Sequence, residues 1–198
     1  PEGVDYINIQ GMPKLENITL PARATLGENC FVKCYSVKIS KLPEGNVVLK
    51  GVCFGNAKNI VLPDDTLEIR GGGIFGNQEQ TDTVSVDLNN VRIIKDGALS
   101  NLNALTSITI PDSVTTLGEN VFSNCSNLKS IKGGRNVKYI GNSCFSACTS
   151  LTDFGSLTDN VTRVGILAFQ NTAWFNSQSD GVVYFGKVAY AYKGDAPS

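Results

Sequence analysis

Apolar and polar residues alternate along this chain in short bursts. Ile18-Thr19-Leu20, Val84-Ser85-Val86 and Ile108-Thr109-Ile110 each hold a polar residue between two apolar ones. A period of two predicts short strands with two side chains facing inward. A proline follows at Pro21, Pro43, Pro63 and Pro111; lacking an N–H, it ends the strand and turns the chain. A glycine recurs farther on, at Gly27, Gly118, Gly141 and Gly165. It is expected to make a second corner with positive φ. From there to the next cysteine position the apolar groups fall three and four apart, which predicts about one helical turn.

These bursts are copies of one unit. LTSITIPDSVTTLGENVFSNC, from Leu105, aligns with LKSIKGGRNVKYIGNSCFSAC, from Leu128. Leu117 falls over Ile140, Gly118 over Gly141, Phe122 over Phe145 and Cys125 over Cys148, an offset of 23. With Phe122 as marker, the equivalent positions are Ile9, Phe31, Phe54, Phe75, Leu99, Phe122, Phe145 and Phe169. About eight units of ~23 residues are therefore expected, the first incomplete.

A unit this short cannot bury its own apolar side chains and needs a neighbour on each side. Stacked units pair their strands in parallel at about 4.8 Å, so seven steps give a ribbon on the order of 34 Å long. The expected fold is an α/β solenoid, right-handed, with a short parallel β-sheet on its concave face. Turns and stub helices fill the other side. From 64 to 102 the pattern is ragged. GNQEQTDT replaces the usual residues before the strand, Leu99 replaces Phe, and Asp87 stands where Pro is expected.

The strings LTSITIPDSVTTLGENVFSNC and VKYIGNSCFSACTSL resemble the BspA-type leucine-rich repeat of bacterial surface proteins. The resemblance covers most of the chain. It implies a secreted or cell-surface protein, with an export signal and further repeats or anchoring modules elsewhere. The chain opens Pro1-Glu2-Gly3 without a Met, and its end from Tyr192 reads as a loop start. A processed start and a longer natural protein are therefore expected.

Composition narrows the function. The 198 residues include no histidine, 17 Lys plus Arg and 18 Asp plus Glu. Without histidine there is no Ser-His-Asp triad and no imidazole zinc ligand. The charge balance gives no basic field for nucleic acid. No apolar run is long enough to span a membrane. No nucleophile elbow or paired-carboxylate motif appears, so an enzyme is not expected. Two carboxylates of a glycosidase type need no fixed spacing, and a deep pocket would be required to raise that reading again.

The six cysteines share the repeat phase. Cys30, Cys53 and Cys144 precede the marker position, and Cys34, Cys125 and Cys148 follow it by three. Elsewhere these positions hold small apolar groups, so buried free thiols are favoured. Pairs such as Cys30/Cys53 and Cys125/Cys148 would lie one ladder step apart. At about 4.8 Å that is longer than the ~3.8 Å between Cβ atoms of a disulfide. A disulfide or metal site is the lesser reading. Gly71 to Gly76 lacks the Lys-Ser/Thr of a phosphate loop. Asp64, Asp65, Asp82 and Asp87 lack calcium-loop spacing. Three N-x-S/T matches, at Asn17, Asn124 and Asn160, read as turn and strand residues.

Residues 173–198 are rich in aromatics and form an expected cap on the solenoid of residues 1–172, the two making one domain. Val182 to Phe185 and Val188 to Tyr192 alternate on either side of Gly186-Lys187. A glycine-first two-residue loop fits a type II′ hairpin. An aromatic platform for sugar or peptide is the competing reading.

The concave face is the usual binding surface of solenoids. Its outward positions are expected to be Thr19, Lys41, Val61, Ser85, Thr109, Lys132 and Gly155. Of these, Thr19, Lys41, Ser85, Thr109 and Lys132 are the candidate binding residues. They make a small, polar, nearly neutral surface that names no ligand. The resemblance implies a non-enzymatic protein-binding or adhesion module. Its partner would be an extracellular protein, or a glycan, and it needs no cofactor or metal. A monomer is expected. The alternative is a structural spacer that holds another module away from the surface.

Overall fold

The computed structural model describes residues 4–16, 18–21, 24–26, 30, 48–50, 59–62, 64, 66–70 and 85–195. Its strands, in chain order, are β1 Tyr6–Ile7, β2 Thr25–Leu26, β3 Val48–Lys50, β4 Asn59–Val61, β5 Glu68–Arg70, β6 Ser85–Asp87 and β7 Ile93–Ile94. They continue as β8 Ser107–Ile110, β9 Thr116–Leu117, β10 Ser130–Gly133, β11 Tyr139–Ile140, β12 Arg163–Val164, β13 Gly181–Phe185 and β14 Val188–Lys193. A 3₁₀ turn spans Gly155–Thr158, and one short helix, α1, spans Ala173–Asn176.

Each well-formed repeat contributes two strands instead of one. The apolar-polar-apolar bursts build a first ladder, in which β4 pairs with β6 and β8 with β10, all in parallel. Ile131 lies opposite Ile108, and both are buried. The residues before the glycine corner build a second ladder of six parallel strands, β3-β5-β7-β9-β11-β12. That segment was expected to be only a turn. Its inward positions, Ile69, Ile94, Leu117 and Ile140, form one buried column.

The stretch around the marker Phe is not a helical turn. Each unit here carries two residues of positive φ, four apart, at 97 and 101, 120 and 124, 143 and 147, and 167 and 171. Between them, alternate N–H groups point to different partners. Ser123 and Cys125 donate within their own turn, to Asn120 O and Phe122 O. Asn120, Phe122 and Asn124 donate to the next unit, to Asn142 O, Cys144 O and Ser146 O. Every buried N–H needs a partner, and this alternation supplies one without helix or strand. It forms a third line of hydrogen bonds. Asn tolerates the left-handed region better than most residues, which accounts for Asn101, Asn120, Asn124 and Asn171 at these positions.

Gly118, Gly141 and Gly165 do not have the positive φ expected of them. They are required by close approach. A Cβ on Gly141 would stand 2.5 Å from the carbonyl carbon of Gly118, and one on Gly165 would stand 2.5 Å from the Asn142 nitrogen. The glycines let consecutive backbones touch where the second ladder turns.

Phe122, Phe145 and Phe169 stack inside, with ring centroids 5.3 and 5.8 Å apart. Phe185 of the hairpin extends the column at 4.4 Å from Phe169. β13 and β14 pair antiparallel around Gly186-Lys187, and Gly186 alone of the two loop residues has positive φ, as the sequence predicts. The hairpin also satisfies a backbone group at the end of the repeats. Phe145 N–H donates to Ala168 O in the next unit. Phe169 has no next unit of that kind, and its N–H donates to the Tyr190 hydroxyl at 3.1 Å.

Other expectations shift. Ile18-Thr19-Leu20 is not assigned to a strand. In the ragged unit the inward residues are Val86 and Leu88, so the strand register lies two residues later than the alternation of 84 to 86 suggests. The last copy of the first ladder has a single bridge, Ser130 to Asp153, and then becomes the 3₁₀ turn. Phe154 and Leu157 are buried there, so Gly155 is not a strand residue.

Phe122→Ala should cost about 3–5 kcal/mol in a denaturant titration, because it opens the middle of the ring column. A loss under ~1 kcal/mol would contradict the phase of the repeat. Gly141→Ala should cost about 1–3 kcal/mol through overpacking against the preceding unit. Gly97→Ala, which meets only the Ser100 side chain at 4.0 Å, serves as the comparison for φ strain without a clash.

Candidate functional surfaces

The first ladder presents a row of outward side chains between its inward ones. Val61, Asp87, Thr109 and Lys132 form that row, since Val61 pairs with Asp87 and Thr109 with Lys132. All four are exposed. Ser85, Ser107 and Ser130 lie one column toward the N-terminal ends of the strands, with Ser107 opposite Ser130. Of the expected binding residues, Thr109 and Lys132 thus sit side by side, Ser85 sits on the flank, and Asp87 takes the place expected of Ser85. Thr19 is exposed but outside any strand. Lys41 lies outside the described residues. A shallow depression of about 570 Å³ runs along this face, with Ser85, Asp87, Ser107, Thr109 and Lys132 among its lining. One carboxylate, one ammonium and several hydroxyls leave it nearly neutral.

The second ladder carries side chains of another kind, which the sequence reading passed over as a corner. Its central outward column reads Glu68, Ile93, Thr116, Tyr139 and Arg163. The adjoining column reads Leu67, Arg92, Thr115, Lys138 and Thr162. Both columns face out because two successive N–H groups share one carbonyl. Arg92 and Ile93 both donate to Leu67 O, and Thr162 and Arg163 both donate to Lys138 O. Ile93 remains 42% exposed and Leu67 37%. The Arg163 guanidinium lies over the Tyr139 ring, 5.2 Å from its centroid. A depression of about 410 Å³ opens here between Arg92, Ile93, Lys95, Thr116, Glu119 and Tyr139. Gly118, which also lines it, contributes no side chain.

Charges on this face are unevenly engaged. Glu68 is paired with Arg70 at 2.5 Å, and that contact raises the Arg70 pKa. Asp96 accepts from Glu119 N–H at 2.8 Å, and Glu119 accepts from the Asn142 amide at 2.9 Å. These carboxylates tie one repeat to the next. Arg92, Lys95, Lys138 and Arg163 make no ion pair among the described residues.

The remaining chemistry-bearing groups are structural. Cys30, Cys125, Cys144 and Cys148 are buried, the last three as free thiols; Cys34 and Cys53 lie outside the described residues. Burial pushes the Cys144 thiol well above its usual range. The Cys148 thiol is raised first by its hydrogen bond with Cys125 and then by burial. Neither is available as a thiolate nucleophile. Asn124 donates to Asn101 Oδ1 at 3.1 Å and Asn160 to Arg135 O at 2.8 Å, so both side-chain amides hold the stack. Asp87 caps its own turn through Asn89 N–H. Asp64 is exposed. Gly71 to Gly76, Asn17, Asp65 and Asp82 lie outside the described residues. No group of three or more metal-capable side chains occurs among the described residues. Asp96 and Glu119 stand exposed at the edge of an open depression, without the enclosed space that carboxylate catalysis uses. No helix among the described residues is long and apolar enough to cross a membrane.

At the hairpin, Phe185 and Val183 are buried and Trp174 and Tyr190 half-buried against the repeats. Burial raises the Tyr190 pKa, and its bond from Phe169 N–H opposes the shift. The inner face of the tail therefore packs on the repeats. Val182, Tyr184 and Tyr192 face outward.

Compared with known proteins, the chain matches the profile of the family described as BspA type Leucine rich repeat region, in six copies over residues 8–81 and 72–180. Two solved structures are similar. One is a leucine-rich repeat protein of T. pallidum, at 17% identity and a TM-score of 0.45, covering 84% of this chain and 81% of that one. The other is a leucine-rich repeat protein from Bacteroides ovatus, at 20% identity and a TM-score of 0.37, covering 85% and 68%. No curated protein matches.

Cys144 and Cys148 should resist iodoacetamide at mildly alkaline pH in the native protein and react fully once it is denatured. Mass mapping of the alkylated peptides checks this. Native labelling at the denatured rate would contradict their place in the core.

Proposed function

Because the chain belongs to the BspA-type leucine-rich-repeat family, we propose that it is a non-enzymatic protein-binding module, displayed outside the bacterial cell. Repeats of this family are typically binding modules and occur in bacterial surface proteins. The observation that carries the reading is the outward side of the second ladder. Ile93 and Leu67 stay exposed toward one end of it, and Tyr139 and Arg163 lie two and three steps beyond Ile93. Tyr and Arg are the residues that most often dominate interface energetics, and a stacked sheet holds them on a rigid grid. A pure spacer needs no such columns.

Several finer features belong to the same proposal. Successive units wind in the right-handed sense that parallel crossovers favour, about eight of them. Residues 173–198 act as a cap continuous with the repeats. The first ladder, through Thr109 and Lys132 with Thr19, Lys41 and Ser85, offers a second, polar contact area. The module acts as a monomer and adheres to an extracellular protein.

The test is binding of the purified chain to an array of extracellular-matrix proteins and glycans. Two variants run in parallel, Ser85→Arg with Thr109→Arg on the first ladder and Tyr139→Ala with Arg163→Glu on the second. A specific protein hit that one variant abolishes supports the module and identifies its face. Binding to glycans alone would replace the protein partner. No hit in any channel would favour the spacer.

A further inference from the structure

We propose that the outward face of the second ladder recognises an acidic, apolar-bearing segment of a partner protein. This rests on the binding reading above and names the partner's chemistry. The face carries four exposed cations, Arg92, Lys95, Lys138 and Arg163, with no ion pair among the described residues. Its carboxylates keep their charge but are fewer. Glu68 holds Arg70, while Asp96 and Glu119 each accept a hydrogen bond from the following repeat. Arg92, Lys95, Lys138 and Arg163 outnumber the two carboxylates that no cation neutralises, so the face is net positive, although the whole chain is at −1. The first ladder lacks this excess, with Asp87 set against Lys132.

Polypeptide fits the face better than an anionic glycan does. Ile93 and Leu67 stand among the cations and are exposed, and apolar side chains match the Leu and Phe of a peptide. A sulfated chain instead calls for an unbroken polar cationic strip. The depression beside Gly118 sits next to Ile93 and Tyr139, a place for one apolar side chain. The Arg163 fork is held over the Tyr139 ring, which presents it for a carboxylate with little ordering left to lose. From the Glu68 row to the Arg163 row is four ladder steps, about 19 Å. An extended segment of about eight residues, roughly 27 Å, spans it.

The probes are three pools of synthetic peptides of about that length, all carrying Leu and Phe. The first alternates these with Asp and Glu, the second with Asn and Gln, the third with Lys. Heparin is a fourth probe. The acidic pool should bind the chain at least about tenfold more tightly than the neutral pool, with the advantage fading at ~0.5 M salt. Arg92→Glu with Arg163→Glu should remove at least about tenfold of that affinity. Arg92→Gln with Lys138→Gln, which leaves the Arg163–Tyr139 contact intact, should show a smaller loss of the same kind. Thr109→Arg should change nothing. Thermal melts establish that each variant is folded. Equal binding of the neutral or basic pool, or binding untouched by the charge changes, overturns this inference and leaves the binding module standing. Heparin binding without any peptide binding overturns it in favour of an anionic glycan. Silence from all four probes overturns this inference and counts against the binding reading as well.

Discussion

The distance between successive units governs this structure. Parallel strands pair at about 4.8 Å, and each repeat must come within that step of its neighbour everywhere at once. Side chains larger than hydrogen cannot stand where two corners meet, so Gly118, Gly141 and Gly165 follow one another. Aromatic rings must lie nearly parallel to be repeated at this step, and Phe122, Phe145 and Phe169 do, at 7° and 10°. Backbone groups must find partners above or below. The three lines of hydrogen bonds are three solutions to that requirement. Polar side chains join in where the step suits them, as when Asn136 reaches Asp112 O and Asn127 reaches Asn103 O.

Periodicity made the stacking legible. The offset of 23 identifies the equivalent positions, and the buried columns follow it from Leu105 to Phe145, with a step of 24 to Phe169. The hairpin was legible for a local reason, since alternating runs around Gly-Lys have few other solutions. What escaped the sequence was conformation inside the unit. The residues before the glycine read as a turn because only one of them is buried per unit, and one apolar residue shows no alternation. Two-residue strands exist there only because the neighbours supply their hydrogen bonds. The turn around the marker Phe has apolar spacing like a helix, yet left-handed residues at 120 and 124 break any helix. The recurring Asn was the available signal. Asp87 misled for a related reason. Where Pro is missing the turn to Val91 is shorter, and Leu88 becomes the second inward residue.

The hairpin, proposed above as a cap, meets the repeats through both buried area and hydrogen bonds. Phe185 lies on the ring column and covers apolar surface that another repeat would cover. The Tyr190 hydroxyl stands in for the missing carbonyl. A phenol suits this task because its ring packs against Phe169, 5.1 Å away, while its oxygen accepts the N–H. Thr172 fills the position of Cys125 and Cys148 in the last unit. It is fully buried, donates to Phe169 O and accepts from Phe175 N–H. A thiol there would leave the start of α1 uncapped. The aromatics on one side of the tail thus pack against the repeats. Val182, Tyr184 and Tyr192 on the other side are what remains when a two-faced hairpin has only one face to bury.

The same step that constrains the inside leaves the outside free. A core position must match its equivalents in size, so its identity is set by stacking. An outward position must only stay clear of neighbours about 4.8 Å away. Differences between outward positions therefore carry the functional information, and similarity between inward ones carries the fold. The two ladders differ in the chemistry of those positions. The first repeats small hydroxyl residues in its flanking column, Ser85, Ser107 and Ser130, while its central row runs Val61, Asp87, Thr109 and Lys132 and stays nearly neutral. The second changes from step to step, from Ile93 to Thr116 to Tyr139 to Arg163, and its flank from Leu67 to Arg92 to Lys138. A spacer gains nothing from such variety, since any small polar residue would keep the sheet soluble. The aromatic, apolar and cationic members of that unrepeated row are the feature on which the proposed binding reading rests.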